Sequence, residues 1–280
     1  MKTAFHLIPA DNRLSSLHLL IELGWYGVSF AWYARDPCSL EGVFAYNFSE
    51  GVTDQGIAED LQIIFKKEPI LSKSLTSVSV FYNFKESLLI PLKYYNDTAK
   101  SHQLNLIYHL AIKSVVNTDT INFVTGTDKI YNVYRIPAIV HDSIVAQFPG
   151  AEFMHSTSAQ IQSKVSVYEL HCIIYHNTIK VLLFNTQQIC FVQQFNYHTP
   201  EDIIYYLLNT CDKYKVNVKE VQLILSGMID EDSNLYQELY KYFLNIIFRE
   251  LDDDVLVAKS IQEFPGHFFS PLMQLARCAL

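Results

Sequence analysis

The sequence has few charged residues, few glycines and prolines, and no long hydrophobic run. Of its 280 residues, 18% are charged, nine are glycine and nine are proline. The low glycine and proline content excludes collagen-like and low-complexity chains. Half of the residues are hydrophobic, and burying them can offset the entropy lost on ordering, which excludes an intrinsically disordered chain. We expect a globular protein of roughly two domains.

Cysteines are also scarce. The five form no CxxC motif, and they stand far apart at Cys38, Cys172, Cys190, Cys211 and Cys278. A secreted protein that depends on disulfides usually has an even and denser set. We therefore expect five free thiols and a reducing compartment.

The pattern contains no segment suited to targeting or membrane insertion. The first apolar run, residues 17–23, is interrupted by His18 and Glu22. It is much shorter than the roughly 20 apolar residues that span a bilayer, and no other stretch reaches that length. We expect a cytoplasmic protein that does not insert into membranes.

Negative charge exceeds positive charge. The 29 Asp and Glu residues outnumber the 21 Lys and Arg residues, which gives a net charge of −8. A negative field repels the phosphates of nucleic acid. We therefore expect no nucleic-acid partner.

The first half of the chain predicts three strands, a helix and a fourth strand. Short apolar or aromatic runs between glycine and proline residues indicate the strands. They lie at residues 17–23, 28–34, 42–48 and 77–84. Between the third and fourth strands, Ile57, Leu61 and Ile64 recur at helical spacing and predict a helix over residues 54–67.

The second half repeats this order. Its strands are predicted at residues 168–175, 178–184, 189–197 and 218–225. A helix again follows the third strand, because Thr199 fits an N-cap and Pro200 fits the first helical position. The repeat predicts two subdomains, residues 1–150 and residues 151–280.

Further patterns predict elements outside the repeat. Strands are predicted at residues 88–95, 121–124, 130–135 and 254–258. Helices are predicted at residues 97–110, 138–148, 233–248 and 271–279. Residues 151–167 are expected to connect the two subdomains.

A β-β-β-α-β unit that occurs twice and is followed by a final helix resembles the actin-like ATPase superfamily. In length and segment order the chain also resembles an uncharacterised bacterial family, a domain of unknown function with an actin-like fold. The ending, FPGHFFSPL at residues 264–272 and on to Cys278, is similar to that family's tail. The resemblance implies an α/β fold of duplicated actin-like (ribonuclease H-like) subdomains, with mixed sheets flanked by helices.

The resemblance also implies where a nucleotide would bind. In actin-like ATPases the turn between the first two strands of each half holds the phosphates, with an acidic residue and small residues beside them. In the first half, Glu22, Gly24 and Gly27 match this pattern in part. Trp25 and Tyr26 stand between the two glycines and are too bulky for a phosphate loop.

The second half matches the nucleotide motifs less well. Residues 175–178 contain neither an acidic residue nor a glycine, while the Ser226-Gly227 pair approximates the Gly-Gly pair of the adenosine motif. The candidate ligand-binding residues of this vestigial nucleotide cleft are Glu22, Gly24, Gly27, Ser226 and Gly227. No catalytic residue, metal ligand or bound cofactor is predicted.

Two classes of function remain. The first is a non-catalytic actin-like protein that acts as a protein-binding scaffold, with another protein or a second copy of itself as the partner. The alternative is a divergent nucleotide-binding protein, or an ATPase-like or kinase-like enzyme that uses ATP and magnesium. An enzyme would need an acidic residue from elsewhere, such as Asp230, to restore the site. Because most phosphate-loop residues are missing, we expect the first class.

Overall fold

The structure is a computed structural model that describes residues 1–109, 113–122, 129–162, 167–186 and 188–279, without the side chains of residues 11–13. These residues form two compact units. The first comprises Met1–Gln162 and the C-terminal residues from Cys278, and the second comprises Ser163–Arg277. Each unit contains sheets and helices, so the predicted α/β class is confirmed.

The described residues form fifteen strands and seven α-helices. In chain order the strands are β1 (Lys2–Leu7), β2 (His18–Gly24), β3 (Gly27–Arg35), β4 (Cys38–Asn47), β5 (Ser77–Tyr82), β6 (Ser87–Pro91), β7 (Ser114–Asn122), β8 (Lys129–Pro137), β9 (Glu152–His155), β10 (Glu169–Ile174), β11 (Thr178–Phe184), β12 (Ile189–Asn196), β13 (Gln222–Gly227), β14 (Asn245–Phe248) and β15 (Leu256–Val257). The helices are α1 (Asp54–Lys67), α2 (Lys100–Asn105), α3 (Ala138–Gln147), α4 (Ser156–Gln160), α5 (Pro200–Tyr214), α6 (Asn234–Leu239) and α7 (Ser270–Cys278).

The large sheet of the first unit is an antiparallel meander extended by parallel strands. Its strands lie in the order β1-β4-β3-β2-β5-β9. Successive hairpins pair β2, β3 and β4, whereas β5 runs parallel to β2 and β9 runs parallel to β5. Leu61 of α1 and Ile144 of α3 are buried in the same core as Trp32 of β3. The two helices therefore cover the apolar face of this sheet.

Helix α1 forms where its sequence predicts it. The Thr53 side chain accepts a 3.1 Å hydrogen bond from the backbone N–H of Gly56, which caps the first turn. Leu61 and the other apolar residues of one helix face are buried. Pro69 follows the helix and cannot continue it. The predicted bounds, residues 54–67, are confirmed.

A smaller sheet in the first unit has the antiparallel order β6-β8-β7. The strand predicted over residues 88–95 ends at Pro91, and the helix predicted over residues 97–110 is limited to α2. The apolar face does not continue beyond α2, because Leu106 is 83% exposed. Residues 110, 123 and 124, which complete two of the predicted elements, lie outside the described residues.

The sheet of the second unit repeats the order of the first. Its strands lie in the order β12-β11-β10-β13-β14, with β10, β11 and β12 antiparallel and β13 and β14 parallel to β10. The segment β12-β11-β10-β13 corresponds to β4-β3-β2-β5. In each unit a capped helix precedes the last of these strands, and in α5 the side chains of Thr199 and Asp202 form a capping box.

The helix predicted over residues 233–248 is wrong. Helix α6 covers only its first part, and the last part is β14, which pairs parallel with β13. Along β14, Ile246 and Phe248 are half-buried while Ile247 between them is exposed. This alternation is typical of a strand and not of a helix. The strand predicted over residues 254–258 is likewise reduced to β15.

The segment that follows residue 150 belongs to the first unit. Strand β9 pairs with β5, with Glu152 opposite Ser79, and α4 comes directly after it. The division between the units therefore falls after Gln162, later than the boundary expected at residue 150.

Candidate functional site

The hairpin of β2 and β3 contains three of the residues assigned to the nucleotide cleft. One of them, Glu22, is only 1% exposed. The side-chain amide of Asn83, which follows β5, donates a 2.9 Å hydrogen bond to Glu22 Oε1. The same amide nitrogen donates at 3.0 Å to the hydroxyl oxygen of Tyr26. The Glu22 carboxylate is therefore bound by a side chain of the protein itself, that of Asn83.

The two glycines of this turn are required by neighbouring protein atoms. A Cβ atom on Gly24 would lie 2.7 Å from the backbone oxygen of Asn83, and one on Gly27 would lie 2.2 Å from the backbone oxygen of Tyr46. Between them, Tyr26 is buried, and the Trp25 ring packs edge-to-face on Phe84 with ring centroids 5.4 Å apart. The turn is thus filled by its own aromatic rings, as the sequence predicts.

The corresponding turn of the second unit joins β10 to β11. Tyr197 is hydrogen-bonded to the backbone of this turn. Its hydroxyl donates to the carbonyl oxygens of Tyr175 at 2.8 Å and of His176 at 3.1 Å. Burial, with a smaller contribution from the nearby Cys172, raises the pKa of Tyr197 to about 12. Tyr197 is therefore a neutral donor near pH 7, and it binds the turn through carbonyl oxygens that a phosphate group would not approach.

Ser226 and Gly227 end β13, beside β10. A Cβ atom on Gly227 would lie 2.2 Å from the backbone oxygen of Ile174, and the residue has a φ of +82°. The next residue, Met228, donates its backbone N–H to that same oxygen at 2.8 Å. The glycine is therefore needed for the contact between two strands of the second unit.

The structure thus groups the predicted cleft residues by unit. Glu22, Gly24 and Gly27 lie in one hairpin of the first unit, and Ser226 and Gly227 are adjacent in the second. In the described part of the chain, no three His, Cys, Asp or Glu side chains come together as a metal site. No helix formed by the described residues is both long enough and apolar enough to cross a bilayer.

Sequence analysis missed a cavity of about 420 Å³ that lies beside β7 in the first unit. We call it the Asp119 cavity. Residues that line it include Tyr95, Asp97, Lys100, Asp119, Tyr131 and Tyr134. They come from separate segments of the chain, so no local spacing reveals them. The polar residues Asn117 and Asp119 at alternate positions of β7 are the one local signal.

Asp119 is held by three hydrogen bonds. Its Oδ1 accepts from the Tyr134 hydroxyl at 3.1 Å, and its Oδ2 accepts from the Ser158 hydroxyl at 2.6 Å. The backbone N–H of His155 also donates to Oδ2, at 2.7 Å. Burial raises the pKa of Asp119, although these hydrogen bonds act in the opposite direction.

Two stacked aromatic rings line the cavity on the other face of the small sheet from Asp119, because Tyr131 pairs with Thr120, the neighbour of Asp119 on β7. The rings of Tyr95 and Tyr131 stack with centroids 3.9 Å apart and an angle of 11° between their planes. The Tyr95 hydroxyl donates to Asp97 Oδ1 at 2.8 Å, and Lys100 Nζ lies 3.1 Å from the same oxygen. The cavity can therefore offer a ligand both a carboxylate and aromatic ring faces.

A known protein family matches most of the chain. The model of the family described as "Protein of unknown function (DUF3822)" matches residues 11–246. The chain belongs to this family. The predicted resemblance to an uncharacterised family is confirmed. A search of curated proteins found no match.

Several solved structures are similar to this chain. A protein of Bacteroides thetaiotaomicron described as having an actin-like ATPase fold and unknown function is 18% identical, with 96% of this chain and 99% of that chain covered and a TM-score of 0.75. A chain of the PilM–PilN type IV pilus biogenesis complex is 12% identical, with 95% of this chain and 99% of that chain covered and a TM-score of 0.65. The cytoplasmic domain of EpsL, an inner membrane component of the Vibrio cholerae type II secretion system, is 12% identical to this chain. The match covers 94% of this chain and 95% of that chain, with a TM-score of 0.53. These similarities show the fold alone, and the predicted actin-like fold is confirmed.

Proposed function

We propose that this chain is a non-catalytic actin-like protein that acts as a scaffold for another protein or for a second copy of itself. The observation that carries the proposal is the state of Glu22. Its carboxylate would have to position magnesium or water in an ATPase of this fold, yet it is 1% exposed and is bound by Asn83.

The two turns support the same proposal. Phosphoryl transfer needs backbone N–H groups close to the phosphates and a metal ion held by acidic residues. In the first unit the turn is occupied by the side chain of Tyr26, and in the second unit Tyr197 covers the turn carbonyls. The first turn is thus filled by a side chain of the protein, and the Tyr197 hydroxyl holds the backbone of the second turn in place.

A protein-binding role is compatible with the fold. A protein of similar structure occurs in the PilM–PilN complex, so the fold can serve in an assembly with another protein. The five free cysteines agree with a reducing compartment such as the cytoplasm. The alternative, a nucleotide-binding protein or ATPase, has the partial match at Ser226 and Gly227 in its favour.

The decisive experiment measures nucleotide binding and turnover on the full chain. ATP and ADP with magnesium are expected to leave the melting temperature unchanged, although a ligand at 100 times its Kd would add about 2.7 kcal/mol. Phosphate release is expected to equal the protein-free background. Chemical cross-linking in the source cells is expected to join the chain to another protein or to a second copy, and recovery of uncross-linked monomer alone would contradict the scaffold role.

Two matched variants make the turnover measurement specific. Glu22→Gln keeps the shape and one acceptor oxygen for Asn83 but removes the charge. Asp253→Asn removes one exposed carboxylate of the second unit. Magnesium-dependent phosphate release that Glu22→Gln abolishes and Asp253→Asn preserves would overturn the proposal and favour the enzyme.

A further inference from the structure

The Asp119 cavity carries one negative charge that no described residue of its lining compensates. Its charged lining residues, within the described chain, are Asp97, Lys100 and Asp119. Lys100 lies 3.1 Å from Asp97, so these two charges offset each other. Asp119 accepts its hydrogen bonds from two hydroxyl groups and one backbone N–H, which are all neutral. The cavity therefore favours a positively charged group over a neutral or anionic one.

Asp119 can also accept a further hydrogen bond. A carboxylate offers about four acceptor positions, and among the described residues Oδ2 has two donors while Oδ1 has one, the Tyr134 hydroxyl. Burial raises the pKa of Asp119, because the surroundings solvate its charge poorly. A cationic donor at Oδ1 would fill the open acceptor position and stabilise the ionised carboxylate.

The aromatic lining suits the same kind of group. The faces of Tyr and Phe rings attract cations, and guanidinium groups also stack on them. Tyr134 shares the sheet face of Asp119, since it pairs with Asn117, and Phe153 of β9 also lines the cavity. A lysine or arginine side chain could contact a ring with its stem and Asp119 with its charged end.

The position of the cavity favours a peptide over a free amine. Strand β7 is the last strand in the order β6-β8-β7, and no strand of the described residues pairs with its other edge. A free strand edge presents N–H and C=O groups to which an extended segment can bind. The net charge of −8 further favours a basic partner over an acidic one.

We propose that the Asp119 cavity binds a cationic side chain, lysine or arginine, that an extended segment of a partner protein presents beside β7. The inference rests on the proposed scaffold function and names the chemistry of the partner.

Titration of the full chain with two short peptides tests this proposal. One is an acetylated and amidated Thr-Val-Arg-Val-Thr peptide, and the other replaces its arginine with citrulline, which has nearly the same shape but no charge. The arginine peptide is expected to bind about tenfold more tightly or better, because a desolvated charge pair is lost with citrulline. In nuclear magnetic resonance spectra the amide signals of Thr118 and Thr120, the neighbours of Asp119 that also line the cavity, are expected to shift.

Variants locate the binding. Asp119→Asn is expected to weaken the arginine peptide about tenfold or more, since it removes the charge in place. Asp253→Asn gives the same change in net charge on an exposed residue of the second unit, and its effect is expected to stay within about twofold. If Asp119→Asn does not fold, Phe153→Leu removes a ring of the cavity lining without touching the carboxylate and is expected to weaken binding about threefold or more.

Equal affinity for the arginine and citrulline peptides would overturn the proposal. So would unchanged binding in the folded Asp119→Asn and Phe153→Leu variants. The result is separate from the nucleotide experiment. ATP hydrolysis with intact arginine binding would overturn the scaffold function alone, whereas loss of arginine selectivity without hydrolysis would overturn only the assignment of the cavity.

Discussion

Gly227 lies so close to Ile174 that a Cβ atom on residue 227 would be 2.2 Å from the Ile174 carbonyl oxygen. The glycine also has a φ of +82°, a conformation that costs an L-residue about 1–2 kcal/mol. We expect Gly227→Ala to lower the free energy of unfolding by about 2–5 kcal/mol, because overpacking adds about 1–3 kcal/mol to that strain. Urea denaturation measures this difference.

The matched control for that change is Gly150→Ala. A Cβ atom on Gly150 would have no atom within 4 Å, so the substitution is expected to change stability by no more than about 1 kcal/mol in either direction. Similar small effects for both variants would show that the close approach of the two strands is not needed for folding.

The cysteines provide a second prediction. All five are free in the structure, in agreement with the sequence analysis. Burial raises the pKa of Cys172 to about 12 and that of Cys211 to about 11, and the thiolate is the reactive form. A thiol reagent is therefore expected to leave both unmodified in the native chain, while the half-exposed Cys190 reacts.

Unfolding supplies the control for the thiol measurement. In denaturant without a reductant, mass spectrometry is expected to find five modified cysteines, because no disulfide protects any of them. A count of three would show a disulfide, and rapid modification of Cys172 in the native chain would show that its strand is not buried as described.

Elements with local signals are predictable from this sequence. Helix α1 is bounded by the Thr53 cap and Pro69, and helix α5 by the capping box of Thr199 and Asp202. The three-stranded meanders also follow from local alternation and turn residues. Both meanders are found where they are expected.

Elements that depend on distant partners are not predictable in this way. Strand β14 exists because it pairs with β13, about 20 residues earlier in the chain, and its apolar residues continue the helical pattern of α6 when read alone. Strand β1 was missed because several of its residues are exposed and show no clear alternation. The residues of such a strand do not by themselves show which other strand it pairs with.

The candidate sites show the same limit. The small residues Gly24, Gly27 and Gly227 stand out in the sequence, but the atoms that require them, such as the Tyr46 carbonyl oxygen, are known only from the fold. The Asp119 cavity combines residues between Tyr95 and Phe153. Its chemistry is therefore a property of the tertiary structure.

The last prediction concerns the acid sensitivity of Glu68. The Tyr46 hydroxyl donates to its Oε1 at 2.7 Å, and His6 Nε2 lies 3.1 Å from its Oε2. Burial acts to raise the pKa of Glu68, but the hydrogen bonds from Tyr46 and His6 and the charges of His6 and Lys67 outweigh it and hold the pKa below its usual value. Glu68 therefore binds its proton less readily in the folded chain than in the unfolded chain.

The sign of the effect follows from this lowered pKa. The stabilising contribution of Glu68 is fully present above its unfolded pKa of about 4.5 and is lost as the pH falls through the folded value. The Glu68→Gln variant is expected to be about 1.5 kcal/mol less stable than the parent chain at pH 7, because residue 68 no longer offers a charged acceptor to its hydrogen-bond donors. This difference in stability should shrink below pH 4.5. Denaturant unfolding across pH measures it. Glu59→Gln removes an exposed carboxylate and should follow the parent chain, whereas a constant difference between Glu68→Gln and the parent at every pH would show that the contribution of Glu68 does not depend on its charge.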